Sequence, residues 1–229
     1  AELQRLTPER AARDADDVLD LLRVLGPLPV DGVLQRCREG VTGDDVEGWL
    51  ESLGSARQVI PVRVAGEARW AAIEDASRLR DALGASLPPG VPQTFLDPVA
   101  DPLGDLVARY ARTHVPFHAA EVARAYGIGV AVAAGALARL VSSGRVVEGE
   151  LLPTGGGSTE FCDAEVLRML RRRSLAALRA EVEPVVPDAF ARFVLEWQGV
   201  GGRLRGRDGV VRVVEQLSGA VLPASAVES

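Results

Sequence analysis

The strongest constraint on this chain is a change of hydrophobic period that occurs twice in the same order. Val18, Leu21, Leu22 and Leu25 recur at helical spacing and stop at Gly26 and Pro27. After the turn at 27–29, Asp31 is placed to cap a second helix carrying Val33, Leu34 and Cys37. Thr42 then opens a third with Val46, Trp49, Leu50 and Leu53, ended by Gly54. From Gln58 to Ile73 the period becomes two: Val59, Ile60, Val62 and Val64, a turn centred on Gly66, then Trp70 and Ile73. That alternation predicts a β-hairpin.

The order returns beyond a proline-rich joint at 87–102. Leu103, Leu106, Val107 and Tyr110 mark one helix, His118 to Tyr126 a second closed by Gly127, and Val130 to Ser142 a third closed by Gly144. A hairpin is expected next, with strands at 145–152 and 159–162 and a tip holding Gly155, Gly156 and Gly157. Asp163 can cap a long helix running toward Glu183, with Val166, Leu167, Leu170, Leu175 and Leu178 as a stripe that needs a packing surface. A further unit starts with a helix at 188–197, passes a glycine-rich loop at 199–209 and continues as a helix from Val210 to Leu217, with no hairpin after it.

Three short helices followed by a hairpin form the winged-helix arrangement, a helix-turn-helix elaborated by a β wing. The expected fold is mainly α with small β wings, an α+β chain of tandem winged-helix modules. They are expected at 1–100, at 101–184 with the long helix, and at 185–229 as the start of a truncated third. A repeat cut off before its hairpin suggests a fragment of something longer.

All 26 basic residues are Arg; Lys and Asn are absent, as a very GC-rich, actinobacterial type of genome would produce. Without Lys the chain cannot hold a phosphate-loop motor site, a Schiff base or pyridoxal chemistry. Formal charge is -6, so the chain as a whole does not attract nucleic acid. Residues 1–100 carry 11 Arg against 17 acids, 101–183 carry 10 against 10, and 184–229 carry 5 against 5. Any nucleic-acid face is therefore expected in the second or third unit. Aromatic residues at 4% argue against a base-stacking platform. Cys37 and Cys162 are too few and too far apart for a disulfide framework, so reduced thiols are expected. No apolar run reaches about 18 residues and 1–13 holds no apolar leader core, which predicts a cytoplasmic chain with no membrane partner.

The stretch FCDAEVLRMLRRRSLAALRAEVEPV at 161–185, followed by WQGVG at 197–201 and VVRVVEQLSG at 210–219, resembles the C-terminal region of the bacterial large helicase-related (Lhr) proteins. Residues 1–100 join the resemblance mainly through their compatible element order. The resemblance implies a superfamily 2, ATP-dependent DNA helicase that moves 3'-to-5' on single strands in DNA repair. Its ATP- and Mg-binding motor would lie elsewhere in the parent protein, and no cofactor is expected in this chain. It further implies a C-terminal extension of winged-helix modules linked to homo-oligomer assembly, with the helicase core as partner.

A DNA-reading winged helix inserts its third helix into the major groove and needs donors there. The third helix of the first unit offers Asp44, Asp45, Glu47 and Glu51 instead, a solvated acidic face. That of the second offers Ala131, Ala134, Gly135 and Ala138, with Arg139 as its only charge, which favours a protein interface over base readout. Two basic clusters remain as candidates for non-specific contact with single-stranded DNA. They are Arg171, Arg172 and Arg173 on the long helix, with Arg168 and Arg179 near them, and Arg203, Arg205 and Arg207 in the glycine-rich loop. Both clusters also read as solvated surface.

Catalytic readings are weak. Pro116 between His114 and His118 opposes the helix a zinc pair would need. Gly199, Gly201 and Gly202 follow a helix rather than a strand, so a dinucleotide loop lacks its context. Trp49, Trp70 and Trp197 fall at apolar positions and read as core anchors. Tandem winged helices also build AlkZ/YcaQ-like DNA glycosylases, but none of the glutamines has a partner two positions away to make their QxQ motif. The expected role is a non-catalytic scaffold for assembly and sequence-independent DNA contact. The alternatives are a glycosylase-like module or a pure protein-interaction scaffold.

Overall fold

Asp14 starts the first helix: its carboxylate accepts a hydrogen bond from the Asp17 N–H, and α1 runs Ala15–Leu25 before Gly26 turns the chain with a φ of 88°. The computed structural model describes residues 1–152, 159–181, 185–197 and 206–216. Helix α2 (Val30–Leu34) starts earlier than expected. Pro29, fixed in an extended entry geometry, takes the position before it, which leaves Asp31 in its first turn. Cys37 falls outside this short helix and bridges to Ala12. Helix α3 (Gly43–Ser55) opens with a capping box between Thr42 and Asp45.

Strands β1 (Val59–Val64) and β2 (Glu67–Ala72) pair antiparallel from Val59 opposite Ala72 to Val64 opposite Glu67. The two turn residues, Ala65 and Gly66, both take positive φ, as a tight hairpin turn matched to strand twist requires. An additional helix follows, α4 (Ala76–Leu83), burying Ala76 and Leu79 and ended by Gly84 in the left-handed region.

In the second repeat, α5 (Pro102–Thr113) is capped by Asp101, which accepts from the Gly104 N–H. Helices α6 (Ala119–Tyr126) and α7 (Val130–Ser142) meet at 117°, the crossing expected of a helix-turn-helix. Strands β3 (Val146–Gly149) and β4 (Glu160–Asp163) make the second hairpin. Strand β3 is shorter than expected, and β4 keeps its expected length but starts one residue later. Beyond Gly149 the Leu151 and Leu152 N–H groups leave the ladder and donate to Glu160 Oε2 at 2.8 and 2.7 Å. The glycine tip at 155–157 lies outside the described residues.

Contacts divide the chain into two units, Ala1–Ser174 and Leu175–Ser229. Within the first, Val18, Leu22, Val46 and Leu50 form a core under α1–α3. A larger core crosses the proline-rich joint, with Ile60, Val62, Val64 and Leu79 packed alongside Leu106, Val107 and Leu137. Ion pairs cross the joint with it: Arg109 on α5 makes a two-pronged pair with the buried Asp75 just before α4, and Arg78 on α4 donates to Asp105 on α5 at 2.9 Å. The apolar surface of the first hairpin is thus satisfied by the second repeat, and 1–174 forms one body.

Helix α8 (Ala164–Glu181) opens where Asp163 Oδ1 accepts from the Glu165 and Val166 N–H groups. Among the described residues the expected continuous stripe is covered only at its start: Val166 and Leu167 are buried, whereas Leu175 and Leu178 are exposed. The second unit adds α9 (Pro187–Trp197) and α10 (Gly206–Gln216). Helix α10 begins four residues earlier than expected, so Arg207 sits in its first turn beside Asp208 and not in a loop. An acid there suits the positive end of the helix. Trp197, expected as a core anchor, is 51% exposed among the described residues and stacks on Phe193 at 5.6 Å. Trp49 and Trp70 do pack against the first core. No single helix among the described residues is long and apolar enough to cross a membrane.

Candidate nucleic-acid interface

The two helices that would enter a groove are chemically unsuited to it. On α3 the outward residues Asp44, Glu47 and Glu51 are exposed, and Asp45 is committed to Thr42, whose N–H and hydroxyl both donate to it. Those hydrogen bonds hold the Asp45 carboxyl below the usual carboxylate range. An acidic face repels phosphate. On α7, Ala131, Gly135 and Ala138 are exposed and Ala134 half-buried, flanked by exposed Val130 and Val132. The single cation of α7, Arg139, donates to Asp101 at 3.1 Å. The Gly104 N–H and then Arg139 hold the Asp101 carboxyl down.

The first wing is engaged elsewhere. Its turn residue Ala65 lies so close to Gly127 that a side chain on that glycine would meet the Ala65 Cα at 2.8 Å, and Gly127 itself holds a φ of 68°. Arg69 on β2 donates to the Ala125 carbonyl at 3.3 Å, and Arg63 folds back onto the Gly66 carbonyl at 2.7 Å. The described part of the second wing carries exposed Glu148 and Glu150 and the fully buried Glu160.

Arginine is presented instead by α8. Arg171 and Arg172 are exposed and make no ion pair among the described residues, while Arg173 is held by Glu2 at 2.6 Å and Arg168 by Glu165 at 2.5 Å. The hydrogen bond from Arg173 lowers the Glu2 pKa. Of the loop cluster, Arg207 is exposed on α10, and Arg203 and Arg205 lie outside the described residues.

A second arginine-rich surface was not signalled by the sequence. Arg23 of α1, Arg78 of α4, Arg109 and Arg112 of α5, and Arg145 at the entry to β3 line a cleft of about 340 Å³ together with Glu74, Asp75 and Asp105. Arg23 pairs with Glu74 at 2.8 Å, Arg78 with Asp105 at 2.9 Å, and Arg109 with Asp75. Burial would pull the Arg109 pKa down, but the hydrogen bonds and charge of Asp75 outweigh it and leave the guanidinium more firmly protonated than usual. Only the separation of Arg109 and Arg112 by three residues hinted at a shared face.

The remaining chemistry is structural. His114 stacks on Tyr110 with ring centroids 3.6 Å apart, and His118 sits before α6 with Nδ1 3.1 Å from the Thr159 carbonyl. No group of three or more metal-ligating side chains comes together among the described residues. Burial pushes the Cys162 thiol up to about 11 and raises Cys37 as well, so neither is an activated thiolate.

Two helix-turn-helix repeats, each with a hairpin, fused through a common core, define a tandem winged-helix protein. The pattern described as the large helicase-related protein, winged-helix domain, matches residues 1–98 with its second such domain and 185–229 with its third. The chain is 52% identical over 230 residues to the "Lhr helicase/ probable uracil glycosylase" of Mycolicibacterium smegmatis. It is 38% identical over 243 residues to the "Lhr helicase/uracil glycosylase" of Escherichia coli. Each alignment covers all of this chain and 15% of the relative. The chain therefore belongs to the Lhr family and spans about 15% of the length of the relatives it matches.

Proposed function

We propose that this region serves an Lhr-type helicase as a non-catalytic scaffold, joining assembly of the parent protein with sequence-independent contact to single-stranded DNA. The observation that carries the reading is the mismatch between fold and surface. The third helices of both described modules present an acidic face and a nearly uncharged one whose only cation is paired with Asp101, while Arg171 and Arg172, on the exposed part of α8, make no ion pair among the described residues. The uncharged face of α7 around Ala131, Ala134, Gly135 and Ala138 is the assembly surface in this reading, and the parent motor supplies ATP and Mg binding.

The test is anisotropy of labelled single-stranded DNA titrated with this chain at about 50 and 200 mM salt, where phosphate contacts make affinity fall steeply. Binding is expected, and replacing Arg171, Arg172 and Arg173, or Arg203, Arg205 and Arg207, with Ala is expected to weaken it. Absence of binding at the lower salt overturns the DNA half. For the assembly half, G135R/A138R is expected to lower the mass of the parent protein in light scattering; an unchanged mass overturns it.

The names of both relatives supply a second reading, glycosylase chemistry. It predicts an abasic product from uracil-containing DNA incubated with this chain, and the scaffold reading predicts none.

A further inference from the structure

Resting on the nucleic-acid contact proposed above, we propose that the cleft between α1, α4, α5 and the entry to β3 is a seat for the backbone of a single nucleic-acid strand. Arg112 and Arg145 are the groups that hold its phosphates. The argument begins with charge. Five guanidiniums line the cleft against three carboxylates, and each carboxylate already has its arginine. Arg112 and Arg145 are left exposed, with no ion pair among the described residues. Asp101 feels Arg145 weakly, but its own partners are the Gly104 N–H and Arg139. Two cations converging on one concavity repel each other until an anion enters, and a guanidinium matches phosphate geometry with paired donors.

The floor of the cleft is set in advance. Arg109 is mostly buried and locked to Asp75, whose side chain is 4% exposed, so the walls need no rearrangement to receive a ligand. The seat also exists only because the two repeats share a core: α1 and α4 come from the first, α5 and β3 from the second.

A strand offers successive phosphates, one for each of the two free guanidiniums, which come from separate elements: Arg112 from α5 and Arg145 from the entry to β3.

The experiment uses the full chain and the same anisotropy titration over a series of salt concentrations. R112Q/R145Q is compared with R171Q/R172Q, which removes the same charge from α8, and with R112K/R145K, which keeps the cleft charge. Arg112 and Arg145 are exposed and unpaired, so thermal melts of the cleft variants should match the parent. R112Q/R145Q is expected to bind about tenfold more weakly at about 50 mM salt. Its slope of log affinity against log salt should be shallower by about 1.4, about 0.7 for each lost strand phosphate. R112K/R145K should keep the slope. An unchanged R112Q/R145Q beside a weakened R171Q/R172Q overturns the cleft while leaving nucleic-acid contact standing; failure of the parent chain to bind overturns both. Thermal stabilisation by inorganic phosphate that R112Q/R145Q abolishes, with DNA affinity unaltered, overturns the strand seat in favour of a small-anion pocket.

Discussion

Replacing Asp75 with Ala tests whether residues 1–174 are one cooperative body. The Arg109 side chain is 14% exposed and its terminal nitrogens reach both Asp75 oxygens, one at 2.6 Å. Deleting the carboxylate strands a guanidinium in the seam between the repeats, where Arg78, itself 28% exposed, adds like charge. Breaking a buried pair in this way costs about 3–5 kcal/mol, and a unit of this size loses about 2–4 °C of melting temperature per kcal/mol. The expected fall is therefore about 6–20 °C, read by calorimetry on the full chain. Because the large core crosses the joint, the first unit should melt in a single transition that moves as a whole. The pair D75L/R109M, which removes both charges, should recover much of the loss. A shift under about 2 °C, or a first unit that splits into two transitions with only one displaced, would refute the shared-core argument.

Gly127→Ala forces a side chain into a positive φ and against the Ala65 backbone, so a loss of about 1–3 kcal/mol is expected in denaturant titration. Glu160→Ala removes the acceptor of the Leu151 and Leu152 N–H groups; it should cost about 1–3 kcal/mol and abolish hydrogen-exchange protection at those two amides. His114 has its pKa lowered from 6.5, first by burial, so the unfolded chain binds its proton more readily. Its contribution to stability is full above about pH 6.5 and declines as pH falls toward the folded value. The difference in stability between the parent and H114F should therefore change between about pH 7 and 5.5, and a constant difference across that window would count against a buried neutral imidazole.

Local signals in the sequence translate directly into structure. Thr42 and Asp163 cap helices, Gly127 ends one, and the turn at Gly66 closes the first hairpin. Each depends on neighbours only a few residues away. Helix α4 is equally legible in Ala76, Leu79 and Leu83 followed by Gly84, although three helices and a hairpin already complete the winged-helix pattern. The shared core was not legible. The alternation of β1 marks Val62 and Val64 as inward-facing but carries no word of Leu106 or Leu137, which lie across the joint. The candidate site divides in the same way. The run Arg171 to Arg173 announces itself, but Arg112 and Arg145 stand far apart in sequence and share a cleft only through the folding of α5 against the second hairpin. The expected arginine loop failed at its end because Gly206 and Arg207 are drawn into α10.

The most direct test of a backbone-contacting, non-reading scaffold is the affinity of this chain for a panel of single-stranded DNAs of equal length and different sequence, each titrated across salt. The account predicts affinities that agree within about threefold and fall together with a common steep salt slope. A preference of about a hundredfold for one sequence, or affinity indifferent to salt, would contradict it.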